Sequence, residues 1–305
     1  MNGIIIINKP KDYTSFDVVA VMRKLLNTKK IGHTGTLDPL ATGVLPILIG
    51  RAAKLQNFIP DTNKEYIASF RLGITTDTLD ITGKTITSVT SNINKEQIEN
   101  TLSKFRGNIS QVPPMFSAVQ KNGVRLYDLA RKGLEVEREA RPVTIFKLKL
   151  IEFDESLQSG KLLVNCSKGT YIRTLCDDIG KNLKVGAILT DLQRTKACSF
   201  DIKNSITLDF ARELAQKNSL EQYVLPCDIF LKDYKKAIIS PAQETRFKNG
   251  GTLSLDRINN LADFNDNEFI RIYSNPQKKF IGLGKINKIK NEISVACLID
   301  IQKNT

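Results

Sequence analysis

The loop Gly32–Gly43 combines one carboxylate, one histidine and three glycines. Glycine permits positive φ angles and lets the backbone lie close to a ligand. Pro39 restricts Asp38, the residue before it, to extended conformations. A carboxylate held in such a loop can act as a nucleophile or a base. An Asp-Pro pair can also be a simple turn with an Asx cap, so the loop by itself leaves both interpretations of Asp38 open.

A second segment, Cys166–Thr174, leads from a predicted strand into a predicted helix. Tyr171 and Arg173 fall at the helix start, where free backbone N–H groups favour anions. An arginine beside a buried carboxylate stabilises its ionised form, so Arg173 is a candidate partner for Asp38. A contact from Arg173 to RNA phosphate or to a surface acid is the alternative.

Composition limits the classes of partner and site. The 305 residues include 45 Lys and Arg against 32 Asp and Glu, a formal charge of +13 with a pI near 9.4. This excess favours an anionic partner such as nucleic acid, although it could also serve solubility. His33 is the one histidine, which excludes a His-rich metal site. The five scattered cysteines form no CxxC pair and predict reduced thiols rather than disulfides or a thiolate zinc site.

Several common sequence signals are absent. The chain has no phosphate-binding loop, no nucleophile elbow and no H-E-x-x-H motif. Gly282–Gly284 lacks the third glycine and the following helix of a dinucleotide fingerprint. We therefore expect neither a cofactor nor a metal. The short apolar run Gly3–Ile7 has no features of an export signal, and no stretch approaches the ~20 apolar residues of a membrane span. We expect a cytoplasmic protein.

Periodicity predicts a mixture of strands and helices without regular alternation, which indicates an α+β fold. Ser15 is predicted to cap a helix whose apolar side carries Phe16, Val19, Met22, Leu25 and Leu26. The main strands are predicted at Gly3–Asn8, Val44–Ile49, Lys64–Leu72, Val143–Phe153 and Leu162–Cys166. Further helices are predicted at Asn94–Phe105, Leu126–Lys132 and Ile172–Leu183.

The composition and hydrophobic pattern of the sequence change near Tyr234. A helical connector is predicted at about Leu208–Leu231, and short β-type runs follow at Phe269–Ile272, Phe280–Leu283 and Ile293–Ile299. We therefore divide the chain into a first domain at 1–231 and a small all-β domain at 232–305.

A set of ordered blocks spans most of the first two-thirds of the chain. They are Gly32–Leu45, Lys64–Tyr66, Leu72–Gly83, Phe105–Gly107, Gly123–Arg131, Glu139–Pro142 and Cys166–Thr174. In order and spacing these blocks resemble the bacterial tRNA pseudouridine-55 synthases, the TruB family of pseudouridine synthases. The segments Phe247–Gly250 and Gly282–Gly284 are similar to the family's C-terminal RNA-binding domain.

The resemblance implies both a fold and an activity. The fold would be a catalytic domain with a mixed, largely antiparallel sheet decorated by helices, followed by a PUA-like β-barrel. The activity would be the isomerisation of uridine to pseudouridine in the T stem-loop of tRNA, at position 55, after the base is flipped out of the RNA. The base leaves C1′ through N1 and rejoins it through C5. The resemblance implies no cofactor, and we expect a monomer.

The resemblance also implies roles for individual residues. Asp38 would be the catalytic aspartate, either attacking C1′ or removing a ribose proton to give a glycal, and Arg173 would pair with it. Tyr66 would pack on the target base and move a proton. Further base-pocket contacts would come from Tyr171 and Leu192, while His33 would fill the space that the flipped nucleotide leaves. Candidate phosphate contacts are Lys64, Arg106, Arg125 and Arg131.

Three positions depart from the family pattern. Asp12 stands where glycine is common, and Asp tolerates a left-handed turn better than most residues, so we expect the turn to survive. Gln193 stands where a second arginine is usual, which predicts the loss of one phosphate contact. Ile188 replaces a residue that is often aromatic or histidine.

Other functions remain open at the level of sequence. A non-catalytic RNA-binding or RNA-folding protein would use the same basic surface and base pocket. A hydrolytic glycosylase would use Asp38 to activate water and would release the free base. A related pseudouridylase subfamily works with guide RNA in a larger particle, which the compact bacterial-type blocks make a weaker match.

Overall fold

A computed structural model describes residues 1–258 and 264–300. Residues 259–263 and 301–305, which belong to the predicted C-terminal domain, lie outside the described residues. In the first 231 residues the strands are β1 Gly3–Lys9, β2 Ile31–His33, β3 Thr42–Ile49, β4 Lys64–Leu72, β5 Ile74–Thr76, β6 Thr85–Ser88, β7 Gly107–Gln111, β8 Gln120–Lys121, β9 Val124–Arg125, β10 Arg141–Asp154, β11 Ser159–Cys166, β12 Ala187–Ala197, β13 Phe200–Asp201 and β14 Ile206–Thr207.

Ten of these strands form one mixed sheet. Its order is β14-β1-β3-β12-β4-β11-β10-β7, with β2 added on β3 and β13 on β12. Most neighbours are antiparallel, but β12 runs parallel to β3 and β14 runs parallel to β1. The strand β1 is buried on both faces, because Ile5 and Ile7 pack in one hydrophobic cluster while Ile4 and Ile6 pack in another. This arrangement confirms the predicted α+β class with its sheet-based first domain.

Six α-helices accompany the strands in the described part of the chain. They are α1 Ser15–Leu25, α2 Lys95–Leu102, α3 Leu126–Arg131, α4 Ile172–Asn182, α5 Leu208–Gln216 and α6 Pro241–Lys248. The predicted cap at Ser15 is wrong: Thr14 caps α1, forming a capping box with Asp17. The predicted burial of Phe16 is also wrong, because its side chain is 62% exposed.

The C-terminal part contains a second, five-stranded sheet. Its strands are β15 Lys236–Ile239, β16 Leu253–Ser254, β17 Phe269–Ser274, β18 Phe280–Asn287 and β19 Glu292–Leu298, in the order β15-β17-β18-β19-β16. The three predicted strands are present as β17, β18 and β19. The helix α6, with Ser240 as its N-cap, is an element that the sequence reading did not anticipate.

The two sheets share part of their hydrophobic core. Leu283 and Cys297 of the second sheet pack in the same cluster as Ile4, Ile6 and Leu55 of the first part. Arg51 Nε also donates to the Leu298 carbonyl at 3.0 Å. The C-terminal sheet therefore packs directly on the first part. A domain boundary between residues 231 and 232 stays a prediction.

Gly43 lies where β3 approaches β12 too closely for a side chain. Its φ is +107°, and an added Cβ would lie 2.8 Å from the Arg194 nitrogen and closer still to the Arg194 carbonyl oxygen. Gly43→Ala must therefore overcome both an unfavourable φ and a main-chain clash, and we expect it to lower the free energy of unfolding by more than about 2 kcal/mol in equilibrium urea denaturation.

Gly133→Ala is the matched control for this prediction. Gly133 also has a positive φ, +71°, but an added Cβ would meet nothing within 4 Å. We expect it to lose only about 1 kcal/mol, the cost of the backbone conformation alone. Equal losses in the two variants would contradict the proposed clash at Gly43.

Candidate active site

Hydrogen bonds from two neighbouring elements hold the loop Gly32–Gly43 in place. Ser15, at the start of α1, has a buried hydroxyl that accepts from Leu37 N at 2.8 Å and donates to Leu37 O at 3.2 Å. Arg194 of β12 is fully buried and donates from Nε to Val44 O at 2.7 Å and from Nη2 to Gly35 O at 3.1 Å. The backbone beside Asp38 is therefore fixed by side chains that sequence reasoning did not assign to the site.

The turn after β1 supports the same loop. Asp12 has a φ of +64°, so the left-handed turn expected despite the missing glycine is present, and its N–H donates to Pro39 O at 2.9 Å. Lys9 is fully buried, and its Nζ donates to the carbonyl oxygens of Pro10 at 2.8 Å and Pro39 at 3.3 Å. Burial lowers the pKa of Lys9 to about 8, although the charge of Asp38 opposes that shift.

Asp38 and Arg173 are in direct contact across the site. Arg173 Nε lies 2.9 Å from Asp38 Oδ2, and the Arg173 side chain is 5% exposed whereas that of Asp38 is 43% exposed. The rest of the guanidinium is held by Thr78 O at 3.1 Å and Phe116 O at 2.8 Å. Asp80, buried and 3.8 Å from Arg173 Nε, is a second acidic neighbour that the sequence analysis missed. The site thus presents one carboxylate that reaches solvent, backed by a buried cation.

An apolar wall adjoins this ion pair. Tyr66 of β4 and Leu192 of β12 are buried in the same cluster as Leu37 and Leu40 of the loop. Burial raises the pKa of Tyr66 to about 12, and the charge of Asp38 acts in the same direction. Burial also raises the pKa of Tyr171, whose backbone N–H is fixed by Gln111 Oε1 at 2.7 Å. Both phenols are therefore neutral at physiological pH, which suits packing against an uncharged base.

His33 lies at the other end of the loop. Its Nδ1 accepts a hydrogen bond from Gly35 N at 3.2 Å, and its ring meets that of Phe16 edge to face, with centroids 5.9 Å apart. Burial lowers the pKa of His33, and the positive charge of Arg194 lowers it further. A neutral imidazole with an occupied Nδ1 is suited to stacking rather than to acid catalysis at this position.

The four candidate phosphate contacts do not form one patch. Lys64 lies beside the loop, since an added Cβ at Gly35 would be 3.4 Å from its Nζ, and burial lowers its pKa. Arg125 and Arg131 are exposed and both lie over the ring of Tyr127, at 5.7 and 5.5 Å. Arg106 lies elsewhere, bonded to Leu148 O at 3.0 Å and 3.9 Å from Glu99.

Gln193 and Arg194 are neighbours in β12 but differ in burial. Gln193 is half-buried, whereas the retained Arg194 has no exposed surface and binds main-chain carbonyls. Arg194 therefore holds the loop in place through these hydrogen bonds and is not a phosphate contact. Ile188, the third departure, is simply buried in the same strand.

The structure also addresses the sequence expectations about cysteines and ligand clusters. All five cysteines are free, as predicted, and the structure shows that all five are buried. Within residues 1–258 and 264–300, no three His, Cys, Asp or Glu side chains are grouped to hold a metal ion. Over the same ranges, no helix has the length and apolar character to cross a bilayer.

Solved structures share this fold. The chain aligns with a TM-score of 0.70 and 24% identity to the protein in "Crystal Structure of a Cbf5-Nop10-Gar1 Complex", covering 99% of this chain and 84% of that one. A similar match, with a TM-score of 0.69 and 23% identity, is found for "Crystal structure of the archaeal box H/ACA sRNP Nop10-Cbf5 complex", covering 99% and 85%. The fold is that of the pseudouridine synthases.

Sequence comparisons define the family within that class. Residues 23–172 match the model of the TruB family pseudouridylate synthase N-terminal domain, and residues 173–232 match that of the tRNA pseudouridylate synthase B C-terminal domain. The tRNA pseudouridine synthase B of Clostridium novyi is 45% identical over 287 residues, and that of Clostridium tetani is 43% identical over 289, each covering 94% of this chain and 96% of the relative. The chain belongs to the TruB family of pseudouridylate synthases.

The environment of Tyr66 leads to a spectroscopic prediction. Because its pKa is raised from 10 to about 12, its phenol should stay protonated where an exposed tyrosine ionises. We expect the folded wild-type protein and the Tyr66→Phe variant to gain the same tyrosinate absorbance through the range near pH 10. The control is the same pair unfolded in urea, where the wild type should gain more. A difference near pH 10 in the folded proteins would contradict the assigned burial.

Proposed function

We propose that this protein isomerises uridine to pseudouridine at position 55 in the T stem-loop of tRNA. The observation that carries the proposal is the contact of 2.9 Å between Asp38 and the buried Arg173, beside the apolar wall of Tyr66 and Leu192. The relatives at 43% and 45% identity are named tRNA pseudouridine synthase B, which supports tRNA as the substrate. We further propose that the protein acts as a monomer in the cytoplasm.

The reaction needs no net exchange of atoms other than protons. The N1–C1′ bond breaks, C1′ bonds to C5, the proton on C5 leaves, and N1 gains a proton. Asp38 would begin the reaction either by attacking C1′ or by removing a ribose proton to give a glycal. In both routes Arg173 fixes the direction of the carboxylate, because its Nε donates to Oδ2.

The apolar wall would receive the flipped base. Extruding a base costs a few kcal/mol, which contacts in the protein must offset. Stacking on an aromatic ring contributes about 1–3 kcal/mol, so Tyr66 and Tyr171 are suited to hold uracil, and Leu192 would add an apolar contact. Tyr66, as a neutral phenol, has a proton to donate but is not a base at neutral pH. His33 would occupy the space that the uridine leaves.

Asp38→Asn tests the assignment of the carboxylate. We expect wild-type protein to release tritium from an unmodified tRNA transcript carrying 5-³H-uridine, because the C5 proton must leave. The variant should bind the tRNA as tightly but release tritium about 10³-fold more slowly or not at all, because the amide can neither attack C1′ nor accept a proton.

Three other outcomes would overturn the proposal. Free uracil in the product would indicate a glycosylase, in which Asp38 activates water. No release by either protein, with binding of tRNA intact, would indicate an RNA-binding or RNA-folding protein. Turnover that appears only after a guide RNA is added would indicate the guide-dependent mode.

The arginines around Tyr127 lead to a prediction about salt dependence. Each phosphate neutralised releases counterions, so the logarithm of the affinity falls with the logarithm of the salt concentration. We expect the double variant Arg125→Gln, Arg131→Gln to bind tRNA more weakly and to reduce that slope by about 1 to 2 in filter binding. Arg106→Gln is the comparison, and its effect should be smaller, because Glu99 already lies 3.9 Å from Arg106. A larger effect of Arg106→Gln than of the double variant would contradict the assignment of Arg125 and Arg131 as the stronger phosphate contacts.

A further inference from the structure

Phe16 is an exposed aromatic residue on a helix whose other large apolar side chains are buried or partly buried. Val18, Val19 and Met22 of α1 are at most 1% exposed, whereas Phe16 is 62% exposed. A phenylalanine of this exposure gains little from the core of its own protein. Its ring does have one specific neighbour, the imidazole of His33, at an interplanar angle of 90°.

The backbone of Phe16 is tied to the candidate active site. The residue before it, Ser15, forms both hydrogen bonds to Leu37, which directly precedes Asp38. The capping box of Thr14 and Asp17 fixes the same turn of the helix from the other side. The hydrogen bonds of its neighbours therefore fix the position of Phe16 relative to Asp38. Phe16 itself takes no part in the ion pair.

We propose that Phe16 adds a second ring to the one supplied by His33, so that the two form an aromatic corner in which Phe16 stacks an RNA base next to the uridine that enters the pocket. This inference rests on the proposed function. The two perpendicular ring planes let a flat base lie against one ring and meet the edge of the other, which is the favourable arrangement for aromatic groups. The imidazole is neutral at physiological pH, because burial lowers the pKa of His33, so the corner presents two uncharged rings to the base.

An RNA base is the occupant that the surroundings favour. The corner adjoins the loop that carries Asp38, so an RNA whose uridine reaches Asp38 brings its neighbouring nucleotides to this part of the surface. Extruding a nucleotide also leaves its neighbours without a stacking partner. A base held at the corner would regain about 1–3 kcal/mol of stacking and so offset part of the cost of flipping. The net charge of +13 favours the approach of the RNA backbone.

The test uses three RNA stem-loops and three variants. One RNA is the intact T stem-loop, and the other two lack the base on the 5′ or on the 3′ side of the target uridine. The variants are Phe16→Leu, which removes the aromatic ring, Phe16→Tyr, which keeps it, and Phe146→Leu. Phe146 is the matched control, because it is also exposed, at 56%, but has no ring contact with His33. Affinity is measured by filter binding and turnover by tritium release.

We expect Phe16→Leu to bind the intact RNA about 5- to 100-fold more weakly, with KM raised and kcat at saturating RNA little changed. That loss should largely disappear with one of the two abasic RNAs, since the partner base is already missing. Phe16→Tyr and Phe146→Leu should behave like the wild type. All variants should unfold at the wild-type temperature, because the substituted rings lie outside the core.

The inference is wrong if Phe16→Leu binds the intact RNA normally, if its loss is the same with all three RNAs, or if Phe146→Leu loses as much. Failure of the proposed function would look different. In that case the wild-type protein itself would release no tritium from the intact stem-loop, whatever the binding of the variants.

Discussion

Arg173 carries a positive charge in a position where only 5% of its side chain reaches water. A buried cation is costly unless its hydrogen bonds and its charge are satisfied. Its partners come from three separate segments: the carboxylate of Asp38, the turn with Thr78 and Asp80, and the carbonyl of Phe116. These segments must converge on the first turn of α4 for the arginine to be accommodated. The geometry around Asp38 is therefore a requirement of folding, whatever chemistry the carboxylate performs.

Buried cations also hold the loop that carries Asp38. Lys9 and Arg194 have no exposed surface, and both donate mainly to main-chain carbonyls of that loop or of the segments beside it. Unlike carboxylates, carbonyl oxygens do not neutralise the positive charge. Asp38 therefore has buried basic side chains behind its loop, while 43% of its own side chain stays open to solvent. Such an arrangement leaves a carboxylate that a substrate can reach.

The sequence allowed the elements and part of the site to be predicted, for identifiable reasons. The alternating pattern of Lys64–Leu72 yields the observed bounds of β4, because period-two burial is a local property. The contact of Asp38 with Arg173 followed from the family resemblance, and the structure brings the two together. Ser15, Asp80 and Arg194 were missed because their roles depend on tertiary partners that no local pattern encodes. Phe16 was misassigned because helical periodicity finds apolar side chains but cannot tell a buried position from an exposed one.

Leu283 and Cys297 of the C-terminal sheet pack against Ile4, Ile6 and Leu55 of the first part. This packing affects which RNA molecules can contact both parts at once. A domain joined only by a flexible linker can move relative to the rest of the protein. A sheet that packs in a shared hydrophobic core stays at a fixed distance from Asp38. An RNA that touches both the C-terminal sheet and the candidate active site would have to span that distance with its own folded shape. The protein would then select an RNA by the length and curvature of its fold as well as by the base that is modified.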